Sequence, residues 1–195
     1  IRGSNLFHSF SDFNVNELQR VYFSNPSLID TIISRVTGNT PSNIFGTLGV
    51  LGNADLFLIN PNGIVFGPNA VLDINGSFVG STADRILLES GYAFSASEAN
   101  APPLLQVNGA IAGLESWLPQ SGTIQSQGNL QVGSDLSLVA ETLDVQGSVL
   151  AGGNLSLMAT NQLTATDSVT VPLVVSGGEH VLLQGNQSLS ISALN

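Results

Sequence analysis

Short apolar stretches separated by glycine or small polar residues recur along the second half of the chain. Residues 123–141, TIQSQGNLQVGSDLSLVAE, align with residues 142–160, TLDVQGSVLAGGNLSLMAT, at an offset of 19 residues. Each unit holds three alternating stretches, for example LDV, SVL and NLSLMA. Because strands this short cannot bury a face alone, the repeat predicts units that stack on one another.

Stacking gives each unit one turn of three short strands, with equivalent strands of successive turns pairing in parallel at ~4.8 Å. The sequence therefore predicts an all-β protein with a parallel β-helix fold. Leu136 and Leu155 should stack in one interior column, with Gly128 and Gly147 at successive corners. A sandwich or a propeller is the alternative, but these folds favour longer strands or blades of ~40 residues.

The first half of the chain is denser in apolar residues. Residues 70–91, AVLDINGSFVGSTADRILLESG, repeat the same pattern, which predicts VLDI, SFV and RILL as coil strands. Residues 5–15, NLFHSFSDFNV, read as extended chain with Leu6 and His8 on one side and Phe7 on the other. Residues 27–38, SLIDTIISRVTG, fit a helix or a strand, and their β-branched cluster favours a strand.

The 195 residues show no composition break, so we expect a single domain over 1–195. Its motif-bearing part is 1–97, and regular coils occupy 121–195. Residues Gly91 to Gln120 break the rhythm with Pro102-Pro103, Trp117 and Pro119. We therefore expect a segment at 98–120 that leaves the helix and returns.

A complete turn interrupts two apolar runs in residues 56–67, LFLINPNGIVFG. Asn60 can accept a hydrogen bond from its own backbone two residues on, Pro61 presets φ, and Asn62 tolerates the next position. Gly63 supplies the positive φ that lets a strand restart. The tetrapeptide contains no nucleophile or base. It should fix which faces of the two runs turn inward, with Phe57, Ile59, Ile64 and Phe66 expected to be buried.

Charge and composition exclude several partners. Only 9% of the residues are charged, and four Lys+Arg against 14 Asp+Glu give a net charge of −10. This balance excludes nucleic acid and argues against attraction to anionic lipid. No apolar run reaches the roughly 18 residues of a membrane span, so no membrane insertion is expected. With no cysteine, disulfides and cysteine metal sites are excluded.

Candidate catalytic and metal-binding groups are sparse. Neither His8 nor His180 has a His, Asp or Glu at ligand spacing, so we predict no metal site. Asp84 and Arg85 are adjacent, and adjacent side chains on a strand face opposite ways, which favours solvated charges or a turn salt bridge. We predict no cofactor-binding site. Calcium binding through Asp/Asn turns stays open, although no calcium-loop motif occurs.

The enzyme alternative is a β-helix polysaccharide lyase or hydrolase. Such chemistry needs carboxylates paired on a cleft or a basic proton abstractor. Asp55, Asp73 and Asp84 would have to converge on folding, and the chain has no lysine. We therefore predict no catalytic residue and no enzymatic activity.

Three segments in order, SNLFHSFSDFNV, VYFSNPSLIDTIISRVTG and SNIFGTLGVLGNADLFLINPNGIVFG, resemble the secretion domain of the filamentous haemagglutinin family, the exported partner in two-partner secretion. The specific motifs cover roughly Ser4 to Ser97, and the remainder resembles the family only through its repeats. Asn60, Pro61, Asn62 and Gly63 match the family motif NPNG. Asn25, Pro26, Ser27 and Leu28 fall where the family carries NPNL and depart from it at Ser27.

The resemblance implies a right-handed parallel β-helix with an extrahelical hairpin, as a fragment of a large adhesin-like exoprotein. It implies recognition by an outer-membrane barrel transporter through periplasmic POTRA domains. The localisation implied is the cell surface or exterior of a Gram-negative-type bacterium, reached through the periplasm. The family's N-terminal capping strands and signal peptide are expected ahead of Ile1.

The remaining alternative is a glycan-binding adhesive module. Trp117 or Tyr92 would then stack on a sugar, whereas the plainer interpretation is that Trp117 covers a flank of the coil. The full-length exoprotein is expected to bind a host or surface glycan or protein.

Overall fold

The computed structural model describes residues 3–98, 110–115, 122–168 and 171–193. The chain winds into a parallel β-helix, as the repeat predicts, and each complete coil contributes one strand to each of three faces. Face A contains β1 (Asn5–Phe10), β3 (Thr31–Val36), β6 (Asp55–Ile59), β9 (Phe78–Ser81), the first parts of β15 (Leu136–Gln146) and β17 (Leu155–Thr166), and β19 (Val181–Gly185).

Faces B and C complete each coil. Face B contains β4 (Ser42–Ile44), β7 (Ile64–Phe66), β13 (Thr123–Ser126), the second parts of β15 and β17, and β20 (Ser188–Ser192). Face C contains β2 (Arg20–Ser24), β5 (Thr47–Leu51), β8 (Val71–Asp73), β14 (Leu130–Val132), β16 (Ser148–Ala151) and β18 (Val174–Gly177). Coils are numbered by their face A strand, so the first begins at β1 and the seventh at β19.

The 19-residue repeat corresponds to one coil. Leu136 pairs with Leu155 in parallel, and both side chains lie in the interior, as predicted. Gly128 and Gly147 lie at successive corners, where a Cβ on Gly147 would be 3.0 Å from the carbonyl oxygen of Gly128. One apolar residue at every second position therefore builds the continuous core.

The N-terminal coils follow the predicted pattern too. Residues 5–10 form β1, with Leu6 directed to the interior and Phe7 to the outside. The segment that fits a helix or a strand forms β3, because its β-branched residues pair in parallel with β1 and β6.

An antiparallel sheet stands outside the coil, as the implied extrahelical excursion requires. It consists of β10 (Arg85–Leu88), β11 (Ala93–Ser95) and β12 (Ile111–Glu115), with β10 in the middle. The chain leaves after β9 and returns at β13, so this extrahelical sheet interrupts the fourth coil between faces A and B. The prediction of RILL as a coil strand is wrong. Arg85, the first residue of β10, lies before the range 98–120 in which the sequence predicted the excursion. Within that range, residues 99–109 and 116–120 lie outside the described residues.

In strand β6, the residues that face the interior are the reverse of those that the sequence predicted. Leu56 and Leu58 fill the interior, whereas Phe57 and Ile59 point outward and pack under the extrahelical sheet. The expectation that the turn directs Phe57 and Ile59 inward is wrong, although Ile59 is fully buried. The strand is apolar on both sides because both sides are covered.

Candidate functional site

The turn Asn60–Gly63 joins β6 to β7 at the corner between faces A and B of the third coil. The Gly63 amide donates to the Asn60 carbonyl at 3.0 Å, and the Asn62 amide donates to Asn60 Oδ1 at 3.0 Å. Gly63 has φ +118°. These contacts are the backbone geometry that the residue types of the motif favour.

Asn60 is fully buried and joins three coils. Its Nδ2 donates to the carbonyl of Thr40 and to Ser42 Oγ, both at 3.0 Å and both in the second coil. Its backbone amide donates to the carbonyl of Ser81 in the fourth coil at 2.9 Å. In the folded domain this side chain therefore has no surface to offer a partner.

Gly63 is required at this corner for two independent reasons. Its positive φ disfavours any residue with a Cβ, and a Cβ placed there would lie 2.8 Å from the carbonyl oxygen of Thr123. Thr123 belongs to face B of the next coil, so a larger residue would push two coils apart.

The turn Asn25–Leu28 lies at a different corner, between faces C and A, where the first coil passes into the second. Asn25 Nδ2 donates to the carbonyl of Ile29 at 2.8 Å. Its Oδ1 accepts from the amides of Asn53 at 3.1 Å and Ala54 at 3.2 Å, one coil further on. Asn25 therefore holds successive coils together, as Asn60 does.

Leu28 occupies the fourth position of its turn with φ 71°, the place that Gly63 holds in the other turn. Its side chain is 88% exposed. A leucine in the left-handed region is strained by roughly 1 kcal/mol. Because the side chain is exposed, it makes no core contact that would offset this strain. Pro26 and Ser27 beside it are exposed as well, so this turn presents a surface where Asn60 does not.

The two motifs lie at different corners, so the structure does not bring their eight residues into one site. Sequence reasoning missed the positive φ of Leu28 and the bonds from both asparagines to neighbouring coils. The shared order Asn-Pro-X-Y, with Gly63 at its last position in one copy, was the signal that could have revealed the φ of Leu28.

The histidines are far from forming a metal centre. His8 lies on the inner side of the first coil beside the rings of Phe10 and Phe23, and its burial lowers the pKa of the imidazole. His180 is exposed, with Nδ1 3.1 Å from Asn154 Oδ1. Among the described residues no group of three or more His, Asp or Glu could hold a metal ion.

The three carboxylates that catalysis would need occupy separate places. Asp55 accepts from the Ser77 amide at the start of face A, whereas Asp73 accepts from Tyr22 Oη at 2.7 Å on face C. The latter bond raises the pKa of Tyr22. Asp84 is buried where the chain passes to the extrahelical sheet.

Asp84 and its neighbour Arg85 correct one sequence expectation. Both are buried, with Arg85 Nε 3.8 Å from Asp84 Oδ1 and Arg85 Nη2 3.2 Å from Glu98 Oε1. Of the two expected alternatives, the salt bridge between these neighbours is confirmed, and the solvated charges are wrong. The reason is tertiary: the extrahelical sheet folds over a segment that sequence alone treats as one more exposed turn.

Only one of the two proposed sugar-stacking aromatics belongs to the described residues. Tyr92 is exposed in the connection between β10 and β11, where its carbonyl accepts from the Leu88 amide. Trp117 lies outside the described residues. Nor do the described residues include a helix with the length and apolar character needed to cross a membrane.

Comparison with protein families identifies a matching family. The family model described as TPS secretion domain, where TPS denotes two-partner secretion, matches residues 1–195. No curated protein and no solved structure matches the chain.

Proposed function

The chain belongs to the TPS secretion domain family, and from that premise we propose that it targets and nucleates the folding of a large adhesin-like exoprotein. The family is one of non-catalytic secretion domains, carried by exoproteins that Gram-negative bacteria secrete with a transporter partner. Beyond this, we propose that the partner is an outer-membrane barrel whose periplasmic POTRA domains recognise the chain, and that the domain itself is not an enzyme.

Recognition is proposed to act on the chain before it coils. Before it coils, the chain offers free backbone groups and alternating side chains, which is what addition to the edge of a receptor sheet requires. The few charges of the chain favour such contacts. The domain then coils outside the cell, where each finished coil provides the edge on which the next strand pairs.

The burial of Asn60 is the single observation that carries the role proposed for its turn. A side chain wholly buried between coils supports folding and is unavailable for recognition in the folded state. We therefore propose that Asn60–Gly63 acts by setting the corner of the third coil. The turn Asn25–Leu28 is proposed to act in the same way at the corner where the first coil passes into the second.

Substitutions at these two turns test the proposal. Gly63→Val should destabilise the domain by about 1–3 kcal/mol through its φ and its contact with Thr123. Asn60→Ala should cost about 1–3 kcal/mol, because it leaves buried partners without their donor. Both should slow refolding and lower secretion of the exoprotein, while the affinity of POTRA domains for the unfolded segment stays unchanged.

Two variants serve as controls. Asn69→Ala changes an exposed asparagine after a proline in the next corner of the same coil and should alter neither folding nor secretion. Leu28→Asn keeps the turn, since asparagine tolerates positive φ, and should stabilise the domain by ~0.5–1 kcal/mol with secretion retained. Loss of POTRA binding with normal folding in Asn60→Ala, or loss of secretion in Leu28→Asn, would identify the turns as recognition surfaces and refute the proposal.

A further inference from the structure

The outer side of face A is apolar in the first three coils. Phe7, Ile33 and Phe57 lie in register on β1, β3 and β6, and Ile59 continues the patch along β6. The extrahelical sheet covers this patch. Five of its apolar residues pack against it: Ile86, Leu88, Phe94, Ile111 and Leu114.

The interior of the first two of these coils contains polar side chains. His8 and Ser34 are paired across β1 and β3, in an interior column that continues with Leu58, Gly80, Leu138 and Leu157. His8 Nε2 and Ser34 Oγ are buried without a hydrogen-bond partner within the described part of the chain. Buried polar atoms without partners reduce stability, so the first coils depend more on their outer side.

Arg35 ties the extrahelical sheet to the coil. Its guanidinium lies 4.2 Å from the centre of the Phe94 ring, and its Nη1 donates to the carbonyl of Ser95. Its Nε donates to Ser9 Oγ at 3.0 Å on β1. One side chain therefore contacts the first coil and β11 while itself belonging to the second coil.

A second group of charges lies next to Ser95, on the neighbouring strand β10 and in the segments that flank the sheet. Buried Arg85 pairs with Glu98, and Ser97 Oγ donates to buried Asp84 at 3.1 Å. Two of the four basic residues of the chain, Arg35 and Arg85, thus lie where the extrahelical sheet meets the coil. Buried charges stabilise a structure only when their partners are in place. A partly docked extrahelical sheet would leave such charges without partners, so partial docking is unfavourable.

We propose that the extrahelical sheet is a strap whose closure over face A stabilises the first three coils, so that the sheet and these coils form one cooperative unit. Strands β1, β3 and β6 remain labile until β10, β11 and β12 dock on them, however early they form. The later coils at β15 and β17 hold their own core and form a separate unit. The biological consequence rests on the proposed function: the N-terminal segment stays available to the transporter until the strap has been delivered.

Hydrogen exchange of the full 195-residue chain, resolved by peptide, tests this coupling. Arg35→Met removes the charge and donors of the guanidinium at similar length. It should lower protection by about tenfold or more in β10, β11 and β12 and, to the same degree, in β1, β3 and β6. Strands β15 and β17 should keep their protection. Arg20→Met, which removes an exposed arginine on face C, should change none of these regions.

Phe94→Leu is a milder second variant, since it loses the ring contacts with Phe7 and Arg35 but keeps an apolar side chain. It should give the same pattern at smaller amplitude. Loss of protection confined to the extrahelical sheet, equal loss in all strands, or no loss in either variant would each overturn the proposal. Because exchange is measured on purified protein, this result is independent of a secretion assay, so failure of the strap and failure of the secretion role are distinguishable.

Discussion

Single polar side chains at the corners of the helix connect one coil to the next. Asn60 bonds backward to the second coil, Asn25 bonds forward to Asn53, and Asp135 Oδ1 accepts from the Asn154 amide at 2.6 Å. Each satisfies backbone groups that a corner leaves outside the strand ladders. Asparagine and aspartate therefore act at these corners much as capping residues act at helix ends.

His8 predicts a dependence of stability on pH. Burial lowers the pKa of His8 in the folded state below its ordinary value of about 6.5. The unfolded chain therefore takes up a proton as pH falls through about 6.5, while the folded chain resists it. Stability from this group is fully present above about pH 7 and declines below about pH 6.5. The midpoint of thermal unfolding should accordingly fall between pH 7.5 and pH 5.5.

The variant His8→Leu should flatten this dependence, because leucine cannot titrate and suits the interior. His180→Gln, at an exposed histidine, should leave the slope as in the parent. Burial raises the pKa of Asp144, and a raised carboxyl pKa adds stability as the pH falls, which is the opposite direction. This contribution is common to the parent and to His8→Leu, so the difference between their slopes reports His8. Equal slopes for the parent and His8→Leu would contradict the assignment.

At the scale of the structural element, glycines stacked at one corner determine how closely successive coils approach each other. A Cβ on Gly152 would overlap the carbonyl oxygen of Gly133, and one on Gly178 would overlap that of Gly152. Gly152→Ala should therefore destabilise the packing of the fourth and fifth coils by about 2 kcal/mol or more, since the backbone must shift to admit a methyl group.

Denaturant unfolding measures this cost, with Gly113→Ala as the matched control. A Cβ on Gly113 would meet nothing within 4 Å, and its extrahelical strand is remote from this corner in the topology. Its stability should lie within ~0.5 kcal/mol of the parent. Equal stability of Gly152→Ala and Gly113→Ala would show that the corner has room.

The sequence predicted an element correctly where the residues that determine its place in the fold are close together in the chain. The repeat of Leu136 and Leu155 predicted the coil, because a period in sequence becomes a period in space. The strand RILL has the same local pattern, yet it leaves the coil, since pairing with β12 lies beyond any local signal. Phe57 was assigned to the wrong side because alternation cannot tell inside from outside when a strand is buried on both faces.

In the candidate site too, local interactions could be predicted from the sequence and interactions between coils could not. The residue types of Asn60 to Gly63 predicted their own turn, because its hydrogen bonds are local. The bonds from Asn60 to Thr40 and from Asn25 to Asn53 join neighbouring coils, so they depend on the stacking register. The burial of Asp84 and Arg85 likewise depends on the docked extrahelical sheet.

At the scale of the whole molecule, a β-helix has two ends where strand edges lie open. Among the described residues β1 pairs only with β3, and β20 pairs only with β17. Leu189 and Ile191 are paired with buried Leu163 and Ala165 but are themselves 46% and 53% exposed. The seventh coil therefore offers apolar side chains together with unpaired backbone groups, which is the combination that promotes edge-to-edge association.

We expect the isolated 195-residue domain to self-associate through this end, in proportion to concentration. Replacing Leu189 and Ile191 together by glutamate should shift the sedimentation profile towards the monomer, because charges at an open edge oppose strand pairing. The double variant Leu51→Glu and Val71→Glu is the matched control, since these residues are 64% and 48% exposed on face C, away from the end. It adds the same charge and should leave association unchanged. An equal reduction in both double variants would assign the effect to net charge, and no reduction in the first would show that the seventh coil is not the associating surface.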